Sequence, residues 1–333
     1  MEDTAYASAN VRIRVFETNL LTRSHYERMI DAPSYDEAVN VLRDTPYRNI
    51  VDDLKETKNY DKYLMQQLHE TFEEVYQSTP QRELVDIAAL RYSYHNLKVL
   101  LKERFTGEDF SSLYIPVGPR VSELRQAIHT KESAELHPAF LESIEEAMTH
   151  YEEYQNIQAI DIILDRRYFT HMKQLADEMG NEDVKKIVGF YIDLNNLSTL
   201  TRAIKQKRTR NFLVTILSSS GTIPKEELVE LGRENLVTAG KVLREGKYRS
   251  IIEESIDQET QELSPVKIDL STDDAFMRRM QDAKLQVFGP LPILAFLYSK
   301  ENEVKNIRLV LAGKENRLPA EKIRERLRMS YDA

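Results

Sequence analysis

Asn96-Leu97-Lys98-Val99-Leu100-Leu101, Asn196-Leu197-Ser198-Thr199-Leu200-Thr201 and Asn306-Ile307-Arg308-Leu309-Val310-Leu311 are three versions of one pattern. Around the first, Ile87, Leu90, Tyr94, Leu97 and Leu101 are spaced 3, 4, 3 and 4. That interval places side chains on one stripe of a 3.6-residue helix. A shift of 100 residues gives Ile187, Phe190, Leu194, Leu197 and Thr201, and a shift of 210 gives Leu297, Lys300, Val304, Ile307 and Leu311. Thr201 and Lys300 are the polar exceptions, which divergent copies tolerate at the rim of a stripe. The pattern predicts three long helices, each facing a core.

A second repeat supports the first. Ala38-Val39-Asn40-Val41-Leu42-Arg43 is followed by Tyr47-Arg48-Asn49-Ile50-Val51, and Ala239-Gly240-Lys241-Val242-Leu243-Arg244 by Tyr248-Arg249-Ser250-Ile251-Ile252, at a constant offset of 201. No convincing equivalent stands in the middle of the chain, where Leu124 and Ile128 are the nearest candidates. Two stretches read as linkers. One is Thr106 to Pro119, with Gly107, Pro116 and Gly118; the other is Ser218-Ser219-Ser220-Gly221-Thr222-Ile223-Pro224. They divide the chain into helical modules at 1–107, 108–220 and 221–333. A period near 100 residues is far longer than solenoid units of roughly 34 to 47 residues, so the expectation is a triplicated domain.

Composition agrees with an all-α fold. Among 333 residues, Gly numbers 10 and Pro 11, which favours long helices over a turn-rich β architecture. A chain of this length exceeds what one hydrophobic core usually organises. Helix starts are predicted at the S-x-x-E capping boxes Ser24-His25-Tyr26-Glu27 and Ser34-Tyr35-Asp36-Glu37. Thr79-Pro80 and Pro319 predict two more. No strict two-residue alternation is sustained, so no strand is predicted.

Several function classes drop out. Cys is absent, which excludes disulfides and thiolate metal sites and suits a reducing compartment. Met1-Glu2-Asp3 lacks the start of a signal peptide. The apolar run Val287 to Tyr298 is interrupted by Gly289, Pro290 and Pro292 and falls short of the ~20 residues a membrane span needs. A net charge of −9 argues against nucleic-acid binding, which requires a basic field.

No catalytic, cofactor or metal site emerges. Gly240-Lys241 and Gly313-Lys314 are followed by Val242 and Glu315, so neither forms a phosphate-cradling loop. His69-Glu70 lacks a second histidine one turn on, and His25, His95, His129, His137, His150 and His171 are scattered without metal spacing. Asp52, Asp53 and Glu56 share a helical face as a Mg²⁺-binding helix would require, but Lys55 and Lys58 lie alongside and no second acidic motif appears. Arg202, Lys205, Lys207, Arg208 and Arg210 close the middle long helix. Cations there complement the helix dipole; the alternative is a contact with an acidic partner or a membrane-proximal surface.

Some residues also carry a family likeness. Tyr6-Ala7-Ser8-Ala9-Asn10-Val11-Arg12-Ile13-Arg14, with Glu17 and Leu20-Leu21, resembles the opening of the C subunit of bacterial and archaeal V-type ATPases, the counterpart of the eukaryotic d subunit. Leu42-Arg43-Asp44-Thr45-Pro46-Tyr47 is similar to that family's L-x-D-T-x-Y segment, and Asn302 to Met329, with Ile323-Arg324-Glu325-Arg326-Leu327, fits its end. The resemblance implies a pseudo-threefold funnel of three helical modules on the cytoplasmic face of the membrane. There a non-catalytic rotor component, without cofactors, would couple the central stalk (the D and F subunits) to the proteolipid ring and pass torque for ion transport. A generic helical scaffold or adaptor is the competing reading. Neighbouring genes for ATPase components would discriminate the two.

Overall fold

The computed structural model describes residues 2–331, the side chain of Lys284 excepted. Its α-helices begin with α1 (Ala7–Glu17), α2 (Arg23–Asp31), α3 (Tyr35–Asn40), α4 (Val51–Thr57), α5 (Tyr60–Ser78) and α6 (Arg82–Thr106). They continue with α7 (Val121–Thr130), α8 (Pro138–Tyr154), α9 (Ile157–Met179), α10 (Glu182–Lys205), α11 (Arg210–Ile216) and α12 (Lys225–Leu231). The last are α13 (Leu236–Arg244), α14 (Arg249–Glu254), α15 (Pro265–Asp282), α16 (Leu291–Glu315) and α17 (Ala320–Arg324). Short 3₁₀ turns join several of them. Among the described residues there is no strand, only an isolated antiparallel bridge between Ile256 and Leu263. The fold is all-α, as the periodicity predicts.

Helix ends follow local chemistry, with two departures from expectation. Ser34 caps α3, its Oγ accepting from the Glu37 N–H at 3.2 Å. The Ser24 motif goes unused. Thr22 holds the extended backbone a cap requires, its N–H donates to His25 Nδ1 at 3.1 Å, and α2 starts at Arg23, leaving Ser24 inside the helix. Thr79 closes α5 rather than opening α6: its N–H and Oγ1 both donate to the Val75 carbonyl, at 2.9 and 2.7 Å. α6 therefore begins beyond Pro80. Pro319 does stand at the N-cap of α17.

The chain divides into two compact units: residues 1–88 with 277–333, and Ala89–Phe276. In the first unit α16 is the core element, packed by α1, α2, α3 and α5. Every residue from Leu291 to Val304 is buried. The first part of α16, Leu291–Tyr298, is apolar on all faces and must be enclosed on all faces, and each fully buried Leu or Ile contributes about 1.5–3 kcal/mol. In the second unit α9 packs on α8 and α10, and α11 lies against α9, α10 and α12. The polar exceptions in the stripes are not at a rim. Thr201 is wholly buried and Lys300 only 8% exposed. Thr201 Oγ1 is satisfied by the Leu197 carbonyl at 2.8 Å, and Lys300 Nζ by Glu303 at 2.7 Å. A satisfied polar group can sit where an unsatisfied one would cost too much.

The second unit also buries His171, whose Nδ1 lies 3.2 Å from Tyr94 Oη while its ring stacks on His137 at 4.5 Å. Burial, and then the neighbouring His137, pushes its pKa from 6.5 down to about 3. Folded His171 is therefore neutral where the unfolded chain takes up a proton. Its contribution is complete above pH 6.5 and is lost as pH falls toward 3. At about 1.4 kcal/mol per pH unit, lowering the pH from about 6.5 to about 5 removes roughly 2 kcal/mol. Urea midpoints at about pH 7 and about pH 5 are expected to differ more in the wild type than in His171→Phe.

Candidate functional site

The three repeat asparagines do one job. Asn96 on α6 donates from Nδ2 to the Ile115 carbonyl at 2.7 Å and accepts the Ile115 N–H at Oδ1 at 2.9 Å. Asn196 on α10 holds Ser218 in the same way, both bonds 2.9 Å, and Asn306 on α16 holds Arg328, both 3.0 Å. The clamped residue follows its asparagine by 19, 22 and 22 positions. A carboxamide presents one donor and one acceptor side by side, which matches the N–H and C=O of a single residue. Each clamp thus satisfies backbone groups of a segment outside regular structure and ties that segment to a long helix. All three asparagines are buried.

Three residues before each asparagine stands a buried polar side chain: Ser93, Asp193 or Glu303. Ser93 Oγ donates to the Ala89 carbonyl, and Gly118 (φ +88°) lies so close that a Cβ there would meet Ser93 Oγ. Asp193 accepts from the N–H groups of Thr222 and Ile223 at 2.7 and 3.0 Å, and from the hydroxyls of Thr222 and Tyr248. Glu303 accepts from the Leu21 N–H, from Tyr47 Oη at 2.6 Å and from Lys300 Nζ at 2.7 Å. Tyr47 and Tyr248 are the paired tyrosines of the second sequence repeat. Burial raises the pKa of both, Tyr47 further through Glu303 and Tyr248 through Asp193, so both remain hydroxyl donors. Ser93 offers no carboxylate to such a tyrosine, and the middle of the chain carries no counterpart of the second repeat. Position alone does not reveal this site, since Ser, Asp and Glu do not look like one shared function. The carboxylates, with Asp193 at 0% and Glu303 at 3% exposure, are acceptors fully engaged by these donors.

The basic run is largely committed within the second unit. Arg202 lies 3.7 Å from Asp269, Lys205 3.5 Å from Glu262 and Arg210 3.1 Å from Glu230. Arg208 donates to Gln206 Oε1 at 3.0 Å and covers the Phe212 ring. Lys207 is exposed; its backbone turns left-handed (φ 53°) to end the helix, with its N–H on the Ile204 carbonyl. Asp52 of the acidic cluster pairs with Arg43 at 2.7 Å. Among the described residues no group of three or more His, Asp or Glu is placed to hold a metal ion.

An apolar surface stands out in the first unit. Asn10 Nδ2 donates to the carbonyls of Val287 and Gly289 at 3.2 and 3.0 Å, and Arg14 to that of Gln286 at 2.9 Å. This fastens the segment before α16 along α1. Left facing solvent are Val11 and Val15, one helical turn apart, and Leu285, Val287 and Phe288. All five are more than half exposed, on two segments joined by the Asn10 and Arg14 hydrogen bonds. No helix among the described residues is long and apolar enough to cross a membrane.

Known proteins match this chain over most of its length. Residues 9–326 match the family described as ATP synthase (C/AC39) subunit. The chain is 36% identical over 328 residues to the C subunit of the V-type sodium ATPase of Enterococcus hirae, covering 98% of this chain and 99% of that one. It is 25% identical to the C subunit of the A-type ATP synthase of Methanocaldococcus jannaschii, with 97% and 86% covered. The corresponding protein of Methanothermobacter thermautotrophicus is also 25% identical, with 97% and 87% covered.

Proposed function

Because this chain belongs to the ATP synthase (C/AC39) subunit family, the non-catalytic C subunits of rotary V- and A-type ATPases, we propose that it couples the central stalk to the membrane rotor ring. In this reading it sits peripherally on the cytoplasmic face, receives the foot of the D–F stalk on one side and rests on the proteolipid ring on the other. It passes torque and hydrolyses nothing. The module plan is three copies, 1–107, 108–220 and 221–333, set as a pseudo-threefold funnel. The observation that carries the proposal is the thrice-repeated asparagine clamp. A torque coupling needs stiffness between elements, and a two-bond clamp from a buried asparagine to backbone supplies it without titratable chemistry. The exposed surface of Val11, Val15, Leu285, Val287 and Phe288 supports a further requirement, a large contact with another component of the machine.

The purified chain is expected to show no ATP turnover and to co-elute with a purified D–F complex in size-exclusion chromatography. Separate elution would overturn the stalk assignment, and ATP turnover the non-catalytic one. The same experiment tests the basic end of α10. If it is a partner contact, Lys205→Glu/Lys207→Glu/Arg208→Glu weakens co-elution at moderate salt, and unchanged co-elution assigns those cations to helix termination alone.

A further inference from the structure

The second sequence repeat is covered in one copy and open in the other. In the earlier copy α2 lies over α3 and the following turn, burying Tyr26, Met29 and Ile30 beneath it. Val41 is then 9% exposed and Leu42 not at all. Their counterparts Val242 and Leu243 end α13 on a similar path, yet Val242 is 54% exposed and Leu243 half-buried. The helix before α13 is α12, which packs on α11. Between α12 and α13 lies a groove of about 660 Å³. Its floor includes Leu228, Leu231, Val242, Leu243 and Ile252, and its polar atoms at Thr222 and Tyr248 are already engaged by Asp193. The groove therefore offers apolar surface without the convergent free polar groups that orient a small ligand.

Its rim is acidic. Glu227, Glu230 and Glu234 line it from α12 and the turn beyond. Glu230 is paired with Arg210 and Arg233, whereas Glu227 and Glu234 are exposed and make no ion pair among the described residues. Lys247, the basic residue of the lining, is turned to Thr222 and Asp193. From this charge and from the helix that covers the same surface in the earlier copy, we infer that the groove receives an amphipathic helix of a partner protein, with an apolar stripe at i, i+3 and i+4 flanked by Lys or Arg. Helix-in-groove recognition uses this geometry, and unpaired rim carboxylates select basic flanks. The inference is independent of the stalk-and-ring reading.

A fluorescein-labelled Leu/Lys peptide of about 18 residues with helical periodicity is the probe, titrated into the full-length chain and followed by anisotropy. Saturable binding is expected, weakened about tenfold by the uncharged Val242→Asn, an exposed position where the change leaves folding intact. Glu227→Lys/Glu234→Lys is expected to weaken it by a similar factor, less so at about 0.3 M salt. The Leu/Glu peptide of the same periodicity is expected to bind at least about tenfold more weakly. A net charge of −9 attracts any cation, so the control is Glu73→Lys/Glu74→Lys, an equal charge change elsewhere. Equal losses in the two double variants, equal binding of a scrambled Leu/Lys peptide, or no effect of Val242→Asn would each overturn the inference.

Discussion

Glu303→Leu is expected to destabilise the chain by about 3–5 kcal/mol, the cost of leaving a buried charge without its partner. The residue stands three positions before the clamp asparagine of α16 and is 3% exposed. Its carboxylate takes the Leu21 N–H, the Tyr47 hydroxyl and the Lys300 ammonium, which also rests 4.5 Å from the Tyr47 ring. Without it, Lys300 is a buried cation beside an aromatic face alone, and two further donors lose their acceptor. Lys300→Met/Glu303→Leu is expected to recover most of the loss, because removing both charges also removes the desolvation penalty. The measurement is the urea midpoint, with hydrogen exchange at the Leu21 amide as the local readout. A single variant as stable as the wild type, or a double variant no better than the single, would show that the network does not hold the unit together.

The second large effect is at the clamps. Asn196→Leu removes both bonds to Ser218 and leaves a buried N–H and C=O without partners, a cost of roughly 3 kcal/mol. Asn196→Asp is expected to be about as harmful, since a carboxylate accepts the Ser218 N–H but repels the carbonyl beside it. Asn96→Leu and Asn306→Leu are expected to cost somewhat less, because their clamp bonds are only part-buried while those of Asn196 are buried. Faster hydrogen exchange at Ile115, Ser218 and Arg328 in the respective variants is the specific check. If one of the three substitutions proves silent, the clamps are not equivalent and their recurrence has no mechanical meaning.

Both predictions start from residues the sequence makes visible but does not explain. Asn96, Asn196 and Asn306 mark the repeat because each opens the same six-residue segment, and nothing in that segment tells why asparagine stands there. The partner backbone lies 19 to 22 residues on, beyond the reach of helical periodicity. Lys300 reads as a rim position when only residue type is weighed, and its burial becomes intelligible once Glu303 and Tyr47 are beside it. Ser24 and Thr79 show the same limit at helix ends. Each has the composition of a start signal, but the neighbouring Thr22 in one case, and the final turn of α5 in the other, supplies the competing hydrogen bonds.

The sequence by itself determined the all-helical class, the three long helices that carry the repeated asparagine, the paired Tyr47 and Tyr248 segments and the family likeness. All are written in local periodicity or short motifs, where a side chain's interval fixes the face it presents. Only the tertiary structure decided which groups meet: Glu303 with Leu21 and Tyr47, Asp193 with Tyr248, three of the five basic-run cations with acids of their own unit, and the first and last segments in one compact unit. The Glu303 and Asp193 pairings join residues up to 282 positions apart, and burial rather than spacing selects them, because a buried polar group is stable only beside the partner that satisfies it.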